Sequence, residues 1–477
     1  MNYSPIINHF HRVGPGLFRE ASGCLRHPFI VPGAQYGAEL WDWDAYWTTL
    51  GLLELARATG DTALRDEAIR HGEGSLLNFF EHQAPSGAIP IMMRADNPDV
   101  FGCTKKQGPE RNQAKPVFGQ FVLALEDARH RGAGVPPASG VARASLPVSV
   151  ASPRTAGVPP AGLGNAGGTP AEHGLEARAT PESWAGCPCH VAGVWQKKPA
   201  PLPIIAIPAL DRFYAYWESR YRHAGTGLLV WGSDVAIGVD NDPTTYARPH
   251  FSSANLLLNC LYHADLEAAA TLAERIGENT LATRWRARAA EIAHAIRTHC
   301  WDERDAFFYT LDVQCADHRA TLIPWAKPGA PLAWPALPIR IQMFTGFLPL
   351  WRGIATPAQA ELLRRHASNP DTFAAPAGIR SLSRREPMFS LAVSSNPSNW
   401  NGPVWILSNY LVWQGLLRYG FTTEADELAS RTLRLLEADI AAHNATHEYY
   451  DPDTGRPIMN KGFISWNLLA CAMLAKE

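Results

Sequence analysis

No apolar run in this chain approaches the ~20 residues needed to cross a bilayer, and its 477 residues carry a formal net charge of -2. The first absence argues against a membrane-spanning helix. The second removes any electrostatic reason to expect nucleic acid or an anionic membrane as partner. The amino terminus, Met1-Asn2-Tyr3-Ser4-Pro5, has no basic patch followed by an apolar core, so no export signal is read there and a cytoplasmic location is expected. The 8 cysteines are scattered, which excludes a small disulfide scaffold. Their one tight cluster, Cys187-Pro188-Cys189-His190, lacks a second ligand pair of zinc-type spacing, and no metal is expected. Ser233 and Ser252 sit in no Gly-x-Ser-x-Gly elbow, and Cys24 and Cys103 have no nucleophile context. A phosphate-cradling glycine loop and a dinucleotide fingerprint are missing too.

What is present falls into two kinds of sequence. Residues 129–199 are rich in Ala, Gly, Pro and Ser, show no helical period and repeat themselves: Gly134-Val135-Pro136-Pro137-Ala138 returns as Gly157-Val158-Pro159-Pro160-Ala161. Such composition buries too little apolar surface to offset its ordering entropy, so this stretch is expected to be a disordered insertion. The flanking residues 1–128 and 200–477 are expected to form a single domain of alternating helices. Apolar spacing at three and four residues predicts helices over 42–59, 61–83, 113–128, 202–223, 252–276, 278–299, 340–351, 355–367, 402–419, 422–443 and 463–476. The amino-terminal region around residues 5–19 supplies one more. Segments 61–83, 278–299 and 422–443 are amphipathic and charged, as an outer layer requires. Segments 404–417 and 463–474 are apolar nearly all round, as an inner layer requires. Six inner and five or six outer helices in alternation describe an all-α fold, an (α/α)6 barrel, with short β pieces in the long connections, for instance 226–231 and 306–311.

That layering fixes geometry. Every outer-to-inner connection emerges at one end of such a barrel, and every inner-to-outer connection at the other. Asp44, Gln113, Asp240, Trp400 and Glu448 all lie at or before the start of an inner helix, and the low-complexity insertion follows the second inner helix. Polar and aromatic candidates therefore gather on one rim, with the insertion at the other.

The phrases on that rim suit a sugar. Trp41-Asp42-Trp43-Asp44-Ala45-Tyr46-Trp47 mixes flat indole faces, which stack on C–H surfaces, with carboxylates that hold hydroxyls. Asp42 reads as a helix N-cap. Asp44 suits the helix dipole or, flanked by Trp41, Trp43 and Trp47, sugar hydroxyls. Gly238-Val239-Asp240-Asn241-Asp242-Pro243 is a turn-rich loop with two acids, one of which would keep its proton in a dry pocket and donate it to a glycosidic oxygen. Asp-Asn-Asp-Pro is equally a common turn. His447-Glu448-Tyr449-Tyr450 offers a second carboxylate, either a base for water or part of a surface loop. Trp400, just before the fifth inner helix, reads as a stacking platform or as an aromatic buried under its loop. The implied class is a carbohydrate-cleaving enzyme.

Taken in order, these phrases resemble the trehalase-like clan of glycoside hydrolases, which holds the family 37 trehalases and the family 63 mannosylglycerate and glucosylglycerate hydrolases. Val31-Pro32-Gly33-Ala34-Gln35-Tyr36 followed by Trp43-Asp44-Ala45-Tyr46 is similar to the clan's Pro-Gly-Gly-Arg-Phe leading to Trp-Asp-Ser-Tyr. Arg111-Asn112-Gln113-Ala114-Lys115-Pro116 resembles Arg-Ser-Gln-Pro-Pro, and Asn399-Trp400-Asn401-Gly402-Pro403-Val404-Trp405 resembles Asn-Trp-(Arg)-Gly-Pro-x-Trp. The resemblance implies an inverting α-glycoside hydrolase without cofactor, with Asp240 as general acid and Glu448 as general base. It further implies that Tyr36, Trp41, Asp44, Gln113 and Trp400 hold a terminal glucose or mannose of a small α-glycoside such as glucosylglycerate, mannosylglycerate or an α-glucosyl disaccharide. Where trehalases carry the signature arginine this chain has Gln35, and no glycine-rich lid follows Glu448. Trehalase is therefore the alternative, not the first reading. The same barrel also hosts sugar epimerases and isomerases, which depend on histidines, here His250 or His447, and a non-catalytic sugar-binding protein is the third possibility.

Overall fold

A computed structural model describes residues 4–105, 111–132, 201–315, 334–392 and 398–474. The Cys187–His190 cluster and most of the low-complexity stretch lie outside them. In chain order the helices are α1 (Ser4–Val13), α2 (Asp42–Thr59), α3 (Thr62–Glu81), α4 (Phe118–Gly132), α5 (Leu202–Tyr221), α6 (Leu256–Arg275), α7 (Asn279–Ala295), α8 (Leu348–Trp351), α9 (Pro357–Ser368), α10 (Ile406–Arg418), α11 (Thr422–His443) and α12 (Ala470–Leu474). Single 3-10 turns, Phe344–Phe347 and Ser465–Leu469, lead into α8 and α12.

Local chemistry sets many of the ends. The Asp61 carboxylate accepts from Leu64 N at 2.9 Å to open α3, and Asn255 does the same for α6 through Leu258 N at 3.2 Å. Thr356 and Gln359 form a capping box around Pro357 at the start of α9. Gly60, left-handed at φ 68, closes α2 by donating its N–H to Ala56 O. Asp42 is not the expected N-cap. It is the first helical residue, and Trp41 holds the cap position without a side-chain bond. Apolar periodicity places the end of α4 at 128. The helix runs to Gly132, and Arg129 pairs with Glu73 and Glu126.

Burial separates the two layers. Every residue of α6 from Leu256 through Leu266 is buried, whereas α7 buries Ala282, Trp285, Ala289, Ile292 and Ala293, one stripe of an otherwise wet helix. The packing order closes a ring. α2 touches α4, α4 touches α6, α6 touches α8, α8 touches α10, and α10 meets α12 with its leading turn, which packs back on α2. The alternate helices α3, α5, α7 and α11 pack outside their inner neighbours, and α1 covers α2 and α11. This is the (α/α)6 barrel. Two- and three-residue strands occupy the connections, among them Leu40–Trp41 paired with Met92–Met93 and Tyr449–Tyr450 paired with Pro457–Met459. Of the two β pieces expected, 306–311 holds the strand Phe307–Phe308, and 226–231 contributes the bridge between Arg222 and Leu229. No described helix is long and apolar enough to cross a membrane.

Candidate active site

A cavity of about 250 Å³ opens at the end of the barrel where outer helices hand over to inner ones. Five of the six such connections, or the first turns they lead into, supply its wall. Pro32, Tyr36, Trp41, Trp43 and Asp44 come from the entry to α2, Phe101 and Lys115 from the entry to α4, and Ala236, Gly238 and Asp240 from the entry to α6. Ser398 comes from the entry to α10, and Glu448, Phe463 and Trp466 from the entry to α12. The volume lies below the ~300–1,000 Å³ of pockets that enclose drug-sized ligands, which fits one small sugar unit.

The Asp240 loop is shaped by a glycine and held by an asparagine. Gly238 has φ 91, and a Cβ there would sit 2.6 Å from the Trp43 ring, so the loop approaches the indole as only glycine allows. Asn241 accepts from Trp400 N at 2.7 Å and donates to Asn399 Oδ1 at 3.1 Å, fastening the loop to the entry of α10. Asp240 keeps part of its surface open to the cavity. Burial pushes its carboxyl above the usual range, opposed by Lys115 and by a hydrogen bond from Ser398. It therefore holds its proton more firmly than a surface aspartate.

Glu448 stands on the hairpin Tyr449–Tyr450/Pro457–Met459, and its own N–H donates to Met459 O at 3.0 Å. Reciprocal bonds between Val404 and Tyr450 pin that hairpin to the start of α10. Glu448 is buried, and desolvation raises its carboxyl to about 7, with the Asp240 charge adding to the rise. Asn460 donates to Glu448 and opposes it, because that bond favours the charged form.

On the α2 side, Asp44 is raised to about 8 by burial and then by the neighbouring Asp42 carboxylate. Ser465 donates to it at 3.3 Å. Asp42 is fully buried and spends its charge on Lys115, whose ammonium is 3.0 Å from Oδ1 and whose N–H reaches Oδ2 at 2.7 Å. The same ammonium donates to Ala236 O at 3.1 Å and lies 5.5 Å from the Trp43 ring centroid. Tyr36 stands edge-on to Trp41 and Phe463, with centroids 6.4 Å and 6.2 Å away, while Trp43 and Trp466 meet edge to face at 5.8 Å. The wall therefore combines three carboxylates, one buried cation and several ring faces.

The structure brings Tyr36, Trp41, Asp44, Asp240 and Glu448 to this wall and leaves Gln113 and Trp400 behind it. Trp400 is fully buried, stacked on Trp405 at 3.8 Å and 2° with Phe344 stacked at 5.6 Å, and its indole N–H bonds Ser398 Oγ at 3.1 Å. Neighbouring rings thus occupy the stacking faces a sugar would need. Gln113 is also fully buried. Its Oε1 accepts from Ile89 N at 3.4 Å, and its Nε2 has no partner among the described residues. Lys115, Ser398, Phe463 and Trp466 also line the cavity, and sequence pattern does not single them out as site residues. A signal existed for Lys115, a lysine inside the otherwise apolar run Ala114-Pro116-Val117-Phe118. Neither His250 nor His447 lines the cavity.

Acids and aromatic rings around one small cavity at the end of a six-hairpin barrel define the glycoside hydrolase class of this fold. Residues 204–466, more than half the sequence, match the mannosylglycerate hydrolase MGH1-like glycoside hydrolase domain. The chain belongs to that family. Residues 17–65 separately match the trehalase family. A mannosylglycerate hydrolase of Thermus thermophilus is 29% identical over 168 residues, 35% of this chain and 32% of that protein, so the match spans about a third of that relative. Mannosylglycerate hydrolase MGH1 of Selaginella moellendorffii is 25% identical over 460 residues, 93% of this chain and 81% of the relative. The crystal structure of a GH63 mannosylglycerate hydrolase from Thermus thermophilus in complex with glucose superposes with a TM-score of 0.59 at 19% identity, covering 98% of this chain and 99% of that one.

Proposed function

We propose that this chain is an inverting α-glycoside hydrolase that releases a terminal glucose or mannose from a small α-glycoside such as glucosylglycerate, mannosylglycerate or an α-glucosyl disaccharide. The observation that carries this reading is the convergence of Asp240 and Glu448, 208 positions apart in number, on one sugar-sized cavity. Asp240 gives its proton to the glycosidic oxygen as the bond to the anomeric carbon breaks. Glu448 takes a proton from the water that attacks the opposite face, and the product leaves with inverted configuration. Inversion calls for carboxyl groups about 6.5–9.5 Å apart, leaving room for that water. Tyr36, Trp41 and Asp44 hold the ring where cleavage occurs, with Asp44 accepting from sugar hydroxyls. Gln113 and Trp400 support the wall from behind.

Trehalase is the second reading, favoured by the trehalase match over the segment that carries Tyr36, Trp41 and Asp44. Incubation with trehalose, kojibiose, glucosylglycerate and mannosylglycerate, with the anomers followed by proton NMR, separates the two and reports the stereochemistry. The Asp240→Asn and Glu448→Gln variants are expected to fold and to lose turnover by about 10²–10⁴-fold. Near-normal turnover in either variant, or retention of configuration, overturns the assignment.

A further inference from the structure

At the end of α11 lies a cluster that the cavity does not use. Asp439 and His443 are one helical turn apart, and Asn444, left-handed at φ 51, ends the helix so that His447 comes back to the same carboxylate. His443 Nδ1 is 2.8 Å from Asp439 Oδ1, and His447 Nδ1 is 3.0 Å from Oδ1 and 2.9 Å from Oδ2. One ligand atom from each of the three residues lies within 4.8 Å of the others. The Asp439 side chain is fully buried, that of His447 is 12% exposed, and that of His443 is 41% exposed.

We propose that Asp439, His443 and His447 form a binding site for a divalent cation of the zinc class. Two imidazole nitrogens and one carboxylate match the ligand set zinc takes, and they disfavour magnesium or calcium, which prefer all-oxygen sites. Tetrahedral zinc with bonds of ~2.0–2.1 Å sets its ligand atoms about 3.3 Å apart. The separations from each imidazole to the carboxylate reach that value by opening a few tenths of an ångström, and the 41% exposed His443 side chain is the one placed to adjust. Each imidazole then carries its proton on Nε2 and offers the Nδ1 lone pair, while solvent on the His443 side supplies the fourth ligand. The Tyr450 hydroxyl already donates to Asp439 Oδ2 at 2.9 Å, the outer bond that orients a ligating carboxylate. Buried His9 and exposed Arg12, whose guanidinium donates to Asn444 at 2.6 Å, sit at the same helix end, and the arginine charge weakens cation affinity. Because His447 precedes Glu448, an ion here would brace the hairpin that carries this residue without entering the cavity.

Titration of chelator-treated protein with zinc chloride by calorimetry at neutral pH is expected to show one ion per chain, with no heat from magnesium. Cobalt chloride is expected to give the visible absorption of a tetrahedral site. The His443→Ala and His447→Ala variants are each expected to lose affinity by at least about tenfold, the lower bound for disturbing even an outer partner. His443→Ala alters an exposed side chain and so retains the fold. Asp240→Asn is expected to bind zinc as the parent does, which keeps this test separate from the hydrolase reading. An absence of zinc binding, or binding that survives both histidine substitutions, overturns the proposal.

Discussion

As the proposed general base Glu448 has to be ionised, yet its surroundings work against its charge. Burial and the Asp240 carboxylate raise it to about 7, and the Asn460 amide is the group that favours ionisation. A general base works deprotonated, so kcat/KM should fall as pH drops through about 7. Asn460→Gly removes the amide while tolerating the left-handed φ of 50 at this position. Its acidic limb is expected to move to higher pH, since the protonated form has lost a competitor. A kcat/KM profile with an unmoved limb, or one displaced toward acid, would remove Asn460 from this role. Much of this site is legible at the level of single residues. Asp44, Asp240 and Glu448 are readable because acids among aromatic and turn residues stand at or before the start of inner helices. Trp400 shows the limit: an indole beside Gly402 and Pro403 looks the same in sequence whether its faces meet a sugar or Trp405 and Phe344. Lys115 shows the converse, because a lysine in an apolar phrase reveals its purpose only when Asp42, 73 residues away, arrives beside it.

The helices were the most readable level, although 340–351 and 463–476 fold as 3-10 turns leading into short helices, and three late starts elsewhere have a common cause. α2 and α11 start and end at the residues that apolar periodicity predicts, although the cap expected at Asp42 is not formed. The expected helices at 113–128, 252–276 and 402–419 begin later, at Phe118, Leu256 and Ile406, because the preceding residues are spent on cavity wall and bridging strands such as Ser253–Ala254. Periodicity counts apolar residues and cannot tell a buried connection from a buried helix turn. Inner helices also need close approach, and Gly51 in the middle of α2 provides it. A Cβ at this position would lie 2.3 Å from the Leu468 Cβ in the turn leading to α12, the seam where the ring closes. Helix propensity alone would favour alanine at position 51 by about 1 kcal/mol. Overpacking of a tight seam costs ~1–3 kcal/mol, so Gly51→Ala is expected to be net destabilising. A lower urea midpoint with an unchanged slope checks this, and a raised midpoint would mean that the seam gives way freely.

At the scale of the molecule, the alternation of layers sorts the connections by end. The cavity takes its wall from outer-to-inner connections, whereas α4, an inner helix, ends and α5, an outer one, begins at the opposite end of the barrel. Composition marks most of the sequence between them as unlike the rest of the chain, and we propose that it is an insertion the hydrolase does not need. α4 and α5 pack directly on each other as consecutive helices, which places the end of one near the start of the other. Helix pairs of this kind are ordinarily joined by about 2–8 residues. Replacing residues 134–199 with a short Gly-Ser linker should therefore leave the barrel and its cavity intact. Each halving of a flexible connection lowers its closure cost by about 0.6 kcal/mol, so an eightfold shortening should stabilise the fold by about 2 kcal/mol. Urea unfolding measures that gain, and kcat/KM on the preferred α-glycoside should stay within about twofold, as expected for a change far from the site. A shortened chain that folds less stably, or that folds and loses turnover, would show that the Ala-, Gly- and Pro-rich segment contributes to the enzyme itself.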